Sequence, residues 1–349
     1  MMKALSLLER LLVLLTITIV ISCDKLPEDI NLESIPSYYF PYLDNRVKCI
    51  NDAIDDCSGD FESFFWITDI HWEPDLNTRY SPHLIRYIAL QTGVDKILNG
   101  GDTGNSQVIC NNAISQLKKA IGSDKVYTVT GNHEINDASR YEDPFERLAS
   151  TLRGHNNNLV YGDNNKTYFY FDSVTEKVRY IGLSSFGLFL NGSYDSFYKD
   201  EQLDWFKKEA LNVQSGWTII IFTHTLYSVD ELDKLVTGHA GASYFIDAIE
   251  SYNGNGAIAC VLMGHAHRDR LHIGKTGIPY IISACDRHVT YHGDINVERI
   301  PGTISEQHFE VVVIDKAKRI INLFSIGANA RDGHDDAPGK EVDVRIIHY

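Results

Sequence analysis

The stretch Phe64-Phe65-Trp66-Ile67-Thr68-Asp69-Ile70-His71 decides how this chain is read, because a short apolar run ends abruptly in a carboxylate and an imidazole two residues apart. The run has the length and the aromatic content of a buried strand. Four further runs end in polar groups of the same kind. Lys96 to Leu98 leads into Gly101-Asp102, Val126 to Thr130 into Gly131-Asn132-His133-Glu134, Trp217 to Phe222 into His224, and Ile258 to Met263 into Gly264-His265-Ala266-His267. In an open α/β sheet, ligands bind in the crevice beyond the carboxyl ends of the strands, so these five loops are expected to converge on one site.

Between the runs lie amphipathic stretches, Pro82 to Gln91, Asn111 to Ala120 and Asp200 to Leu211; in the last, Leu203, Phe206, Ala210 and Leu211 share one helical face. Strand and helix therefore alternate. Hairpin-like spacing separates Tyr168 to Phe171 from Val178 to Leu183, and Phe309 to Ile314 from Ile320 to Phe324. The polar stretch Ala328 to Lys340 reads as an excursion from which Glu341 to Tyr349 returns as a strand. The expected fold is an α/β core with added antiparallel strands, two sheets face to face with helices outside. No internal repeat is present, which argues against a solenoid or propeller.

The polar groups suit a pair of metal ions. Carboxylates at Asp69 and Asp102 offset positive charge and can bridge, imidazoles at His71, His224, His265 and His267 favour borderline metals such as Zn or Fe, and Asn132 offers an uncharged carbonyl oxygen. Glycines before Asp102, Asn132 and His265 permit sharp turns. Strand-like alternation would aim Asp69 and His71 to one side, and His265 and His267 likewise. Any one of the 14 histidines, taken alone, is more often a surface or structural residue than a ligand. Asp69 alone would read as a helix cap and Asn132 as a turn residue; the ordered company of all five segments favours the ligand reading. His272, His288 and His292 lack such company and are read as structural, although Asp286-Arg287-His288 follows an apolar run near enough to line a pocket.

The formal net charge of −15 over 349 residues argues against nucleic acid as the main partner, since that binding depends on Lys and Arg neutralising phosphates. An anionic substrate would need a local positive source, which bound metals supply.

The five segments together, DxH, GD, GNH[DE], a lone His and GHxH in that order, resemble the calcineurin-like metallophosphoesterase family over roughly Phe61 to Asp332. The Gln202-Leu203-Asp204-Trp205 helix and the Phe309 to Asp315 strand are similar to family elements. The resemblance implies a four-layer αββα sandwich of two mixed β-sheets flanked by helices. It also implies two divalent or trivalent metal ions (Mn, Zn or Fe), one held by Asp69, His71 and His267, the other by Asn132, His224 and His265, with Asp102 bridging. Metals about 3.5 to 4 Å apart would acidify a shared water toward a pKa of about 7, and the hydroxide would attack the phosphorus of a phosphate ester in line. His133 is implied as the acid or transition-state stabiliser and Glu134 as the residue orienting it or a ligand. Many family members carry a second acid in GDxxD, where this chain has Asn105, which puts the tuning of His133 in question. Purple acid phosphatases have a Tyr there and a DxG first block, and this chain has neither. Trp66 to Asp75 resembles acid sphingomyelinase-like phosphodiesterases, but no comparable Pro-rich continuation follows Glu134. The expected substrate is a small-molecule phosphate ester or a lipid headgroup. The rival readings are an acid sphingomyelinase-like phosphodiesterase and a non-catalytic surface binding lipoprotein that retains the fold.

Residues 1 to 22 read as an export signal, with Lys3 and Arg10 preceding the apolar run Leu11 to Ile21, too short to span a bilayer comfortably. Val20-Ile21-Ser22-Cys23 resembles the lipobox of bacterial lipoproteins, which implies acylation of Cys23 and anchoring at a membrane, periplasmic or cell-surface. Residues 23 to 60, with Pro27, Pro36 and Pro41, read as a tether and irregular lead-in, and 61 to 349 as the metallophosphoesterase domain. Of the six cysteines, Cys49 and Cys57 are the best disulfide candidates in an oxidising compartment, while Cys260 lies in an apolar run and reads as buried.

Overall fold

The computed structural model of the protein describes residues 30–72, 80–104, 106–136, 144–155, 159–162, 166–188, 194–196, 200–229, 235–237, 241–286, 300, 302–328 and 344–349. Cys23 and the export segment lie outside the described residues.

The apolar runs become two large mixed sheets. The first runs in the order Val344–His348, Ile320–Gly327, His308–Asp315, Phe61–Ile67, Ile97–Asn99, Val126–Thr128; the last three are mutually parallel and the others antiparallel. The second runs Arg270–Ile273, Pro279–Ile282, Ala257–Met263, Thr218–Thr223, Val178–Leu183, Phe169–Ser173, Val160–Tyr161, parallel at its centre and antiparallel at both edges. Both expected hairpins form, and the C-terminal residues return as an edge strand against Ile320–Gly327.

Side-chain alternation along each strand sorts the core into layers. Phe64 and Trp66 point between the sheets, where they meet Phe169, Tyr180, Ile220, Phe222, Cys260, Leu262, Val312 and Ile314. Their neighbours Phe65 and Ile67 point the other way, against Leu43, Ile50, Leu84, Ile88, Ala113 and Leu117 on helices Phe40–Asp55, Tyr80–Thr92 and Gln107–Ile121. On the far side, Ile181, Ile219, Ile221, Val261 and Met263 meet Trp205, Phe206, Phe245 and Ile249. The result is the four-layer αββα sandwich. Each fully buried side chain of this size contributes of the order of 1.5–3 kcal/mol, so the three-fold stacking of apolar layers dominates the fold's stability.

Local chemistry fixes the helix ends. Helix Gln107–Ile121 begins at Ser106, whose hydroxyl accepts from the Ile109 N–H, and ends at Gly122 in the left-handed region (φ 67°). The stretch Asp200 to Leu211 is helical as expected, but Asp200–Trp205 is α-helical and Phe206–Ala210 winds as a π-helix.

Two expectations are corrected. The region read as an irregular lead-in forms the 16-residue helix Phe40–Asp55, with Pro41 harmless in its first turn and Leu43 and Ile50 buried against the first sheet. The Cys49–Cys57 disulfide is absent, and both residues are free thiols. Cys49 is inside that helix and Cys57 just past its end; at about 1.5 Å per helical residue, eight residues place them beyond the reach of an S–S bond.

One buried polar cluster ties the last strand to the interior. Arg345 forms two bonds to Asp269 (2.7 and 2.8 Å), and Trp66 Nε1 donates to Ser283 Oγ (2.7 Å), which donates to Glu310 (2.8 Å). Burial, helped by the charge of Asp269, pushes the Glu310 carboxyl up from 4.5 to about 8. A carboxyl raised on folding favours the folded state most below its unfolded pKa. That contribution is lost as pH climbs from 4.5 through about 8, of the order of a few kcal/mol. Glu310→Gln, which stays neutral, should therefore flatten the decline in stability between pH 5 and 8; urea midpoints across that range that match wild type would contradict it.

Candidate metal centre

All seven expected ligands leave the ends of parallel strands and meet at one end of the sandwich. Asp69, His71 and His267 place ligand atoms within 4.8 Å of one another, as do Asp102, His224 and His265. Asn132 Oδ1 lies 3.2 Å from His224 Nε2 and completes the second group. Asp102 Oδ2 is 3.4 Å from His224 Nε2, and Asp69 Oδ1 is 3.3 Å from His267 Nε2 and 3.8 Å from His224 Nε2, so the two groups adjoin.

The backbone delivers these groups by an unusual route. Five of the seven non-glycine residues with positive φ among the described residues are Asp69 (50°), His71 (45°), Asp102 (50°), His265 (67°) and His267 (50°). The expected strand-like alternation of Asp69 with His71 and of His265 with His267 is thus corrected: these pairs share a side through left-handed conformations after the strands end. Such conformations cost of the order of 1 kcal/mol or more for residues with a Cβ, and they persist where surrounding contacts over-determine them.

Those contacts are specific. Asp69 N–H donates to Gly101 O (2.9 Å) and His71 N–H to Asp102 O (2.9 Å). Asp69 Oδ2 accepts from Thr68 Oγ1 and from the His265 N–H, both at 2.8 Å. His224 Nδ1 faces Gly100 O at 2.8 Å, so Nδ1 carries the proton and Nε2 is turned toward Asn132 and Asp102. Gly131 cannot be larger, because a Cβ there would sit 2.2 Å from Asp102 Oδ1.

The donor set fits metal ions. Asp69 Oδ1 is buried yet accepts no hydrogen bond, and Nε2 of His71 and of His267 face each other at 3.2 Å, where one proton at most fits between them. Imidazole with carboxylate suits Zn, Fe or Mn. Electrostatics agree. Burial is the largest single influence on Asp69 and Asp102 and would raise both, but His224 together with His267 at Asp69, and with His133 and His71 at Asp102, outweighs it, and both carboxyls are held well below their usual range. Burial likewise opposes the charge on His224, yet Asp102 and Asp69 raise it to about 9. His71 goes the other way, to about 4, because burial there outweighs the same two carboxylates. Protons on imidazole thus stand where cations would, and metal binding would expel them.

His133 sits at the rim. Its side chain is 25% exposed, its N–H donates to Asp102 Oδ1 at 2.7 Å, and its Nε2 is 3.8 Å from Asp102 Oδ2. It also shares a ligand-sized group with His71 and Asp102. Glu134, expected to orient His133 or a ligand, accepts from backbone N–H groups of Gly131, Asp102 and Thr103. Burial, then the charge of Asp102, raises its pKa, and those N–H groups oppose the rise. Asn105, Arg287, His288 and His292 lie outside the described residues, while Asp286 is buried and accepts from Ser81 at 2.6 Å. The sequence left Phe186 unassigned between core, rim and substrate contact, and it gave Cys285 no role at the site. Phe186 packs 5.5 Å from the His224 ring and 5.6 Å from that of His265, and Cys285 adjoins His267 and helps to hold the pKa of its imidazole up. No motif surrounds Cys285, and its only signal was a position two residues after the Tyr280 to Ser283 run.

A four-layer sandwich with paired Asp/His groups at the carboxyl ends of its strands defines a metallophosphatase-type fold. The calcineurin-like phosphoesterase family profile matches residues 63–269, and the chain belongs to that family. Among solved structures, a dimetal phosphatase from Danio rerio is similar in fold, at 14% identity and a TM-score of 0.55, covering 82% of this chain and 98% of its own. Weaker likenesses are a conserved uncharacterized protein of Streptococcus pneumoniae described as a predicted phosphoesterase (11% identity, TM-score 0.33, 83% of this chain and 98% of its own) and the phosphopantetheinyl hydrolase of Mycobacterium tuberculosis (12%, 0.37, 64% and 89%). No curated protein sequence matches the chain.

Proposed function

We propose that this chain is a dinuclear metal-dependent phosphoesterase in which Asp69, His71 and His267 hold one ion, Asn132, His224 and His265 the other, and Asp102 both. The observation that carries the reading is the pair of adjoining Asp/His groups, each with ligand atoms within 4.8 Å, around a buried Asp69 oxygen that accepts no hydrogen bond. When bound, the metals would acidify a water and offset charge on the phosphate oxygens. The chain's own residues do the rest. Thr68 and the His265 N–H fix the Asp69 carboxylate, and Gly100 O fixes the tautomer of His224. Most of the ligand side chains are buried and restrict access of bulk water, whereas the partly exposed His133 would donate its proton to a leaving oxygen.

Export, acylation at Cys23 and attachment to a membrane facing the periplasm or the exterior belong to the same proposal and rest on the first 23 residues. The substrate would be a small-molecule phosphate ester or a lipid headgroup. The test is hydrolysis of matched chromogenic phosphate mono- and diesters by detergent-extracted protein, with chelator and then with Mn, Zn or Fe added back. Turnover that disappears with chelator and returns with metal is expected, and the ester preferred tells monoesterase from diesterase. Protein that binds no metal and cleaves neither ester would overturn the activity, and an intact mass without acyl groups on Cys23 would overturn the anchor.

A further inference from the structure

Resting on the proposed metal assignment, we infer that Glu134 is a positioning residue that holds ligands of both metal sites in place by clamping the Gly100–Thr103 turn. That turn is the hub of the centre. Its carbonyls receive the His224 ring (Gly100 O, 2.8 Å) and the backbone N–H groups of Asp69 (Gly101 O, 2.9 Å), His71 (Asp102 O, 2.9 Å) and Trp72 (Thr103 O, 2.7 Å). One four-residue turn therefore sets where ligands of both groups stand, and it carries Asp102 itself.

A hub of this kind must be held from behind. Asn99 Oδ1 accepts the Gly101 N–H at 3.3 Å, and Asn99 Nδ2 donates to Thr103 Oγ1 at 2.9 Å. The Gly100 N–H donates to Ile67 O in the first strand (2.8 Å), and the remaining two N–H groups of the turn have no strand to pair with. Glu134 takes both: Oε2 accepts from Asp102 N–H (3.0 Å) and Oε1 from Thr103 N–H. Oε2 also accepts from the Gly131 N–H at 2.7 Å, one residue before the ligand Asn132. A single buried carboxylate thus joins the turn bearing the bridging ligand to the loop bearing Asn132 and His133. Only a carboxylate serves here, because it accepts at both oxygens and has nothing to donate. A glutamine would aim its NH2 at one of these N–H groups. In addition, charge-assisted bonds to N–H groups are stronger than neutral ones.

The test compares Glu134→Gln and Glu134→Asp with Leu117→Ala, which opens a cavity in the buried face of helix Gln107–Ile121 without touching the turn. Metal content and Mn affinity of each purified protein are measured by equilibrium dialysis, and kcat and KM on a chromogenic ester with limiting and with excess Mn. Both Glu134 variants should bind Mn about 10- to 100-fold more weakly, with kcat reduced by a similar factor at limiting Mn and KM little changed. Excess Mn should recover part of kcat, which a general loss of folding would not show. Leu117→Ala should melt earlier yet bind Mn as wild type does. Should the glutamine variant fail to fold, the aspartate, too short to reach the Asp102 and Thr103 N–H groups, supplies the reading. Wild-type Mn affinity in the Glu134 variants, or equal loss in Leu117→Ala, overturns the inference while leaving the metal assignment standing. A wild-type protein that binds no Mn, Zn or Fe overturns both.

Discussion

Alanine at Asp102 should abolish metal loading and turnover together. Its Oδ2 lies 3.4 Å from His224 Nε2, its Oδ1 accepts the His133 N–H, and among the described residues the other carboxylate adjoining both ligand groups is Asp69, whose own Oδ2 is already occupied by Thr68 and the His265 N–H. Without Asp102 one negative charge is left to offset two cations among crowded imidazoles. Bound metals contribute several kcal/mol to transition-state charge stabilisation, and at about 1.4 kcal/mol per decade their loss corresponds to a fall of at least about 10³-fold. Elemental analysis of the purified variant beside its ester turnover checks this. Two metals retained with unchanged activity would remove Asp102 from the bridging role.

His133→Ala separates chemistry from metal binding. A positioned proton donor is worth roughly 10²- to 10⁴-fold, so kcat should fall by that much while both metals stay. The loss should be smaller for esters with good leaving groups, which need little protonation. The structure makes the metal count decisive, because His133 also stands in a ligand-sized group with His71 and Asp102. A variant that loses one metal would make His133 a ligand and leave the proton donor unassigned.

Much of this centre was legible in the chain. The strands that precede the motifs are buried on both faces, so they read as plain apolar runs, and errors there were of one to three residues, as with Lys96 to Leu98 for Ile97–Asn99. The helix Phe40–Asp55 was not legible. Pro41 signals a break in most positions but is tolerated in a first helical turn, and the buried Arg46 and several acids blur its apolar face. The ligands were found from their order, but not the backbone that aims them, since positive φ is a minority conformation even for Asp and His, which favour it more than most residues, and spacing gives no sign of it. Glu134 was singled out for its company in Gly131-Asn132-His133-Glu134; its three N–H partners belong to segments some thirty residues apart or to its own turn, which only folding brings together. The missed Cys285 contact with His267 is of the same kind.

The left-handed residues at Asp69, His71, Asp102, His265 and His267 also bear on descent. Glycine would relax each of these positions, so selection for stability alone pushes against the very groups that hold cations. A lineage released from hydrolysis should drift there first, toward glycine or asparagine, while its sandwich core stays intact. Kin that keep aspartate and histidine at all five positions are under continuing demand for the chemistry.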